Sequence, residues 1–194
     1  FDDTDEDAQL PDIMRVMDLQ QEQLARSLGD GHRVIHGVAG SGKTMILGYR
    51  AEYLARASTP SSKPILILCF NEPLGVKLHS VMQAKGLGDR VHVRHFHKWC
   101  RQQLLTYGQT LPAHNLPVGD MMADMVDRVI RAIERNQIPG GQYQAVMIDE
   151  GHDFAPEWLK LVTQMVGRTT ILKINYRNTK QILQTASLCA DCKT

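Results

Sequence analysis

Short apolar runs alternate with longer stretches of helical period along most of the chain, the pattern of buried strands joined by crossover helices in a parallel sheet. Strands are predicted at Arg33–His36, Pro64–Phe70, Val91–Arg94, Ala145–Ile148 and Thr170–Ile174. Each precedes a predicted helix: Thr44–Ala57, Leu74–Lys85, Phe96–Tyr107, Pro156–Val166 and Thr179–Ala190, with a further one at Asp120–Arg135 after the turn-rich Leu111–Gly119. Ser58–Lys63, rich in Ser, Thr and Pro, is predicted to be a surface loop. The expected class is therefore α/β, a parallel sheet flanked by helices on both faces. No internal repeat is found.

Composition narrows this to one filled domain. The chain has 194 residues, 43% of them hydrophobic, and no apolar run approaches the ~18 residues of a membrane span. A transmembrane role is excluded on that reading. It begins at Phe1 without a charged-then-apolar leader, so a piece of a longer, non-secreted protein is expected. Residues 1–12 carry Asp2, Asp3, Asp5, Glu6, Asp7 and Asp12 and no base, which reads as an acidic tail or linker end ahead of a domain over 13–194. Beyond residue 12, 22 bases face 15 acids, a surplus that suits a polyanionic partner. Cys69, Cys100, Cys189 and Cys192 are four in a chain too large to need stapling, which points to a reducing, cytoplasmic setting. A single C-x-x-C at Cys189–Cys192 without a second pair is weak evidence for zinc.

The strongest chemical signal is Gly37-Val38-Ala39-Gly40-Ser41-Gly42-Lys43-Thr44, which fits G-x-x-x-x-G-K-[ST] at every fixed position. Glycines let such a loop curl so that successive backbone N–H groups point at phosphate oxygens, and the helix that follows adds its positive end. Lys43 is positioned to reach the β- and γ-phosphates, and the Thr44 hydroxyl to supply one oxygen to Mg²⁺. A chance match in a chain this long is expected in about one sequence in a hundred.

Such a site needs an acid at the end of a neighbouring buried strand, and Ala145-Val146-Met147-Ile148-Asp149-Glu150 supplies two. Asp149 is expected to hold Mg²⁺ through its water shell, and Glu150 to orient and deprotonate the water that attacks the γ-phosphate. The plainer alternative is an acidic pair capping the helix that starts at Pro156.

Together these segments, over most of Asp18–Ala190, resemble the first RecA-like motor domain of the UvrD/Rep group of superfamily 1 DNA helicases. The resemblance implies a P-loop NTPase of RecA-like fold, ATP and Mg²⁺ as cofactors, single-stranded DNA as partner, and a second RecA-like domain of the same parent chain completing the ATP site. It implies that Gln21, or one of its neighbours Gln20 and Gln23, reads the adenine edge. Phe70 and Asn71 in Cys69-Phe70-Asn71-Glu72-Pro73-Leu74 are similar to the family's first strand-contacting segment. His95, Phe96 and His97 in Arg94-His95-Phe96-His97-Lys98-Trp99 resemble its Thr-Phe-His segment, with His95 in place of Thr. Phe70 is also the kind of residue that packs a core. Tyr176 and Arg177 in Asn175-Tyr176-Arg177-Asn178 are implied to stack on adenine and to approach the γ-phosphate.

Departures are as informative. His152 stands where the family's Asp-Glu-x-Gln-Asp box has Gln, and the family's Gly-Asp-x-x-Gln-type coupling segment is absent from Met165–Thr170, so a missing segment near 166–169 is expected. His92, His95 and His97 invite a metal reading, but their directions diverge on a strand running into a helix. The competing functions are a nucleotide-gated nucleic-acid-binding module without translocation and an RNA helicase.

Overall fold

The computed structural model describes residues 19–20, 22–28, 33–36, 43–149, 154–166 and 171–175, with backbone alone for 33–36, 43 and 171–175. Within them lie β1 (Arg33–His36), α1 (Lys43–Ala57), β2 (Ile65–Cys69), α2 (Glu72–Ala84), β3 (Val91–His95), α3 (Phe96–Thr106), α4 (Val118–Glu134), β4 (Ala145–Ile148), α5 (Pro156–Met165) and β5 (Ile171–Asn175). The five strands form one parallel sheet in the order β1-β5-β4-β2-β3. This is the parallel α/β architecture expected from the alternation of elements, and it agrees with the RecA-like fold that the resemblance implies.

Register aligns the strand ends that carry chemistry. Leu68 pairs with Ile148 and Ile148 with Lys173, while Cys69 pairs with His95 and His36 with Asn175. The C-terminal ends of all five strands therefore lie along one edge of the sheet. In an open parallel sheet that edge is where ligands bind, because the loops leaving it are free to vary while the strands hold their bases rigid.

Period-two alternation then assigns each side chain a face. Leu66, Leu68, Val146 and Ile148 join one core with Phe96, Trp99 and Leu104 of α3, Val126 and Val129 of α4, and Leu161 of α5. Ile65, Ile67, Cys69, Ala145 and Met147 join the other, with Leu47 and Ala51 of α1 and Leu78 and Met82 of α2. Helices thus cover both faces. All five β2 residues and all four β4 residues are buried, as strands covered on both sides require.

Several boundaries move for identifiable reasons. The helix expected from Leu74 starts at Glu72, because Pro73 sits in the first turn, where its missing N–H costs nothing, and the Asn71 side chain caps the turn by accepting the Leu74 N–H at 3.1 Å. The one expected from Asp120 starts at Val118, directly after the extended Pro117. Strands expected at Pro64–Phe70, Val91–Arg94 and Thr170–Ile174 run Ile65–Cys69, Val91–His95 and Ile171–Asn175. The helix expected at Thr179–Ala190, the acidic residues 1–12 and the Cys189–Cys192 pair lie outside the described residues.

Candidate nucleotide and nucleic-acid site

Asp149 follows Ile148 directly, so alternation turns it away from the α3–α5 core and toward α1. Its backbone N–H donates to the Leu68 carbonyl at 3.0 Å, extending the β2–β4 ladder by one residue and fixing where the carboxylate begins. The side chain is 1% exposed, and the Thr44 hydroxyl of α1 donates to its Oδ2 at 3.4 Å. Thr44 and Asp149 are 105 positions apart in sequence and meet across the strand that separates β1 from β4.

The chemistry of that pair is specific. A hydroxyl and a buried carboxylate are hard oxygen donors of the kind Mg²⁺ takes, and among the described residues no group of three His, Cys, Asp or Glu side chains is placed to hold a metal. An ion that keeps waters and shares phosphate oxygens fits such a pair. Cys69, at the end of β2 on the same face, has its thiol pushed up to about 12 by burial and by the negative charge of Asp149. It stays a neutral thiol.

Of the remaining candidates for this half, Lys43 opens α1 by its backbone. Gln21, the loop residues Gly37, Val38, Ala39, Gly40, Ser41 and Gly42, the acid Glu150, and Tyr176 and Arg177 lie outside the described residues, as does His152.

The opposite face carries a different surface. Phe70 follows Cys69 and turns toward α3 and α5, where its ring meets Phe154 edge-on at 4.9 Å, Phe96 at 5.6 Å and His97 at 5.8 Å, and lies within 27° of parallel to Trp158 at 5.9 Å. Phe70, His95, His97 and Trp158 are half-buried, and Asn71 is exposed beside them with its amide oxygen committed to the α2 cap. His95 Nδ1 and His97 Nε2 are buried without a hydrogen-bond partner. Four of the five nucleic-acid candidates thus gather at one rim.

Phe96 requires a correction. It is 0% exposed and belongs to the α3–α5 core, against Trp99, Phe154 and Trp158. It forms the floor beneath the rim rather than a contact surface, because the first residue of α3 points inward where the strand ends. His92 stands apart from the other two histidines, edge-on to Tyr143 at 6.3 Å, whereas the His95 and His97 rings lie 5.9 Å from each other. Trp158 was not among the sequence candidates. Its signal was a Trp three residues into the helix that follows the two-carboxylate strand, beside rather than within the buried run Leu159, Leu161, Val162 and Met165.

Burial lowers the affinity of His97 for a proton, with the neighbouring His95 adding to the effect; burial also lowers that of His92, with Arg94 adding. A histidine whose folded pKa is depressed leaves the unfolded chain binding more protons than the folded one below the ordinary value of about 6.5, so stability falls as pH falls. The urea midpoint is expected to be lower at pH 5.5 than at pH 7.5, and the difference to shrink in His97→Gln. An unchanged difference in that variant would assign the acid sensitivity elsewhere.

Comparison with known proteins agrees with the fold. The sequence model of the family described as UvrD/REP helicase N-terminal domain matches residues 17–137, from ahead of β1 through α4. No curated protein shows a significant match. Asp149 and Glu150 lie beyond the matched residues, so the pairing of Asp149 with Thr44 rests on geometry.

Proposed function

Because the chain belongs to the UvrD/REP helicase N-terminal domain family, we propose that it is the ATP-binding half of a motor that moves along single-stranded DNA. The observation that carries this reading is the meeting of Thr44 and Asp149 at the C-terminal edge of the sheet. A triphosphate seated on the amides of Gly37–Gly42 has Lys43 as its counter-charge, and bound Mg²⁺ supplies neutralisation of the charge that develops between the β- and γ-phosphates. Thr44 and Asp149 are the residues that would hold the ion, by a hydroxyl and a carboxylate. Glu150 orients the attacking water and takes its proton; Tyr176 and Gln21 hold the adenine, and Arg177 approaches the γ-phosphate.

DNA lies on the other side of the same strand ends, against Phe70, Asn71, His95 and His97. Only a few residues of β2 and β4 separate the two, so a shift of Asp149 on nucleotide turnover moves the frame that carries Phe70. A second RecA-like domain of the parent supplies the opposing wall of the ATP cleft, and opening and closing of that cleft steps the pair along the strand. The coupling segment that the sequence lacks near 166–169 belongs to that linkage.

The test is the ATPase rate of the protein joined to its second domain, with and without single-stranded DNA. Stimulation by DNA is the expected result. ATP binding without stimulation by any strand would instead favour a nucleotide-gated binding module, and stimulation by RNA alone an RNA motor. Among the described residues no helix is long and apolar enough to cross a membrane.

A further inference from the structure

We propose that Trp158 is a base-stacking platform on the single-strand track, joined to Phe70 and served by the unpaired ring nitrogens of His95 and His97. This rests on the reading of the rim as a DNA surface and adds a residue and a mode of contact to it. Three observations converge. First, Phe96 is fully buried, so the aromatic contact expected from the His95-Phe96-His97 segment is not made by Phe96; the half-buried aromatic carbons at this rim belong to Phe70 and Trp158. Second, Phe70 and Trp158 lie within 27° of parallel, so a base laid on the indole continues a stack already begun in the protein, while Phe96 at 5.0 Å and the edge-on His97 at 5.5 Å brace the indole from below and beside. A ring held this way loses little freedom when a base arrives.

Third, His95 Nδ1 and His97 Nε2 are buried with no partner. With no hydrogen bond at these nitrogens to hold them, the two half-buried rings can turn to present them to the donors and acceptors on the edge of a nucleobase. Exposed Lys98, ion-paired to Glu72, follows His97 directly and provides charge for a neighbouring phosphate. The ligand is thus one unpaired nucleotide of a flexible strand; inside a duplex, pairing occupies the base's edge and stacked neighbours cover its faces.

The chain has two tryptophans, and Trp99 is buried with its indole N–H donating to the Tyr143 hydroxyl, so binding reports on Trp158. Intrinsic emission is followed as a short oligothymidine is added, together with the anisotropy of a labelled copy, and both are repeated with an abasic strand of equal length. The expected result is quenching on oligothymidine, about tenfold weaker binding in Trp158→Ala, the size of one stacked base, and equal binding of the abasic strand by both proteins. Trp158→Phe is expected to lose the quench and keep most of the affinity, which preserves the test if the alanine variant folds poorly. Binding without quenching, or equal weakening on normal and abasic strands, overturns the stacking role while leaving the DNA reading in place. Failure of the unsubstituted protein to bind any strand overturns the DNA reading itself.

Discussion

Glu150→Gln is expected to leave ATP binding close to its unsubstituted level and to cut DNA-stimulated turnover by about a hundred- to ten-thousandfold, the usual contribution of a general base. The amide has the shape of the carboxylate and can still orient a water, but it has no lone-pair charge with which to take the proton. On the proposed site, ground-state binding would fall to Lys43, the Gly37–Gly42 amides and an ion that Thr44 and Asp149 would hold. Lys43→Ala is accordingly the contrasting variant: it removes the counter-charge, so binding and unwinding fail together. A fluorescent ATP analogue measures the first property and steady-state phosphate release the second. Turnover retained in Glu150→Gln would remove that residue from the base role.

Phe96→Ala is expected to destabilise the domain by about 3–5 kcal/mol, the range for emptying a buried aromatic position. Domains of this kind have about 5–15 kcal/mol in total, so the variant sits near the edge of folding at ordinary temperature. Phe96 is 0% exposed and touches the rings of Phe70, Trp99, Phe154 and Trp158, so its removal leaves a hole bounded by three elements that cannot all collapse onto it. Urea unfolding distinguishes this from a surface role: a residue that contacts only DNA leaves the midpoint within about 0.5 kcal/mol of the parent when replaced. A midpoint unchanged in Phe96→Ala would return the residue to the DNA surface.

Both predictions show how unevenly the site was written in the chain. The proposed phosphate loop can be read from sequence because such a function is a backbone property: glycines at fixed offsets and a helix start are local facts, needing no tertiary information. Asp149 is nearly as legible, since an apolar run that ends in two carboxylates states both the strand and its exit. The rim on the other face is less so. Phe70, Phe96 and Trp158 are all aromatic residues at the junction of a strand or loop with a helix, and nothing local tells which of them is the floor and which the surface. His95 and His97 could be placed near one another by proximity in sequence, but the absence of partners for their ring nitrogens depends on what packs over them from β2 and α5.

Helix starts divide in the same way. Asn71 and Pro73 together specify the first turn of α2 once the cap is considered, and the apolar period alone put it two residues late because proline reads as a stop before it reads as a start. The opening of α4 was likewise late, since Gly119 reads as turn where the first helical turn tolerates it.

By itself the sequence determined the parallel α/β class and the span of the strands to within about a residue, and it supplied the proposal for the phosphate loop and its acids, because period, turn chemistry and backbone curvature are all short-range. The tertiary structure alone decided that Thr44 meets Asp149 across 105 positions, that alternation sends Asp149 and Phe70 to opposite faces of one edge, and that Phe96 is core while Trp158 is rim. Those outcomes depend on strand order and on which helix covers which face, and both are settled by packing between residues far apart in the chain.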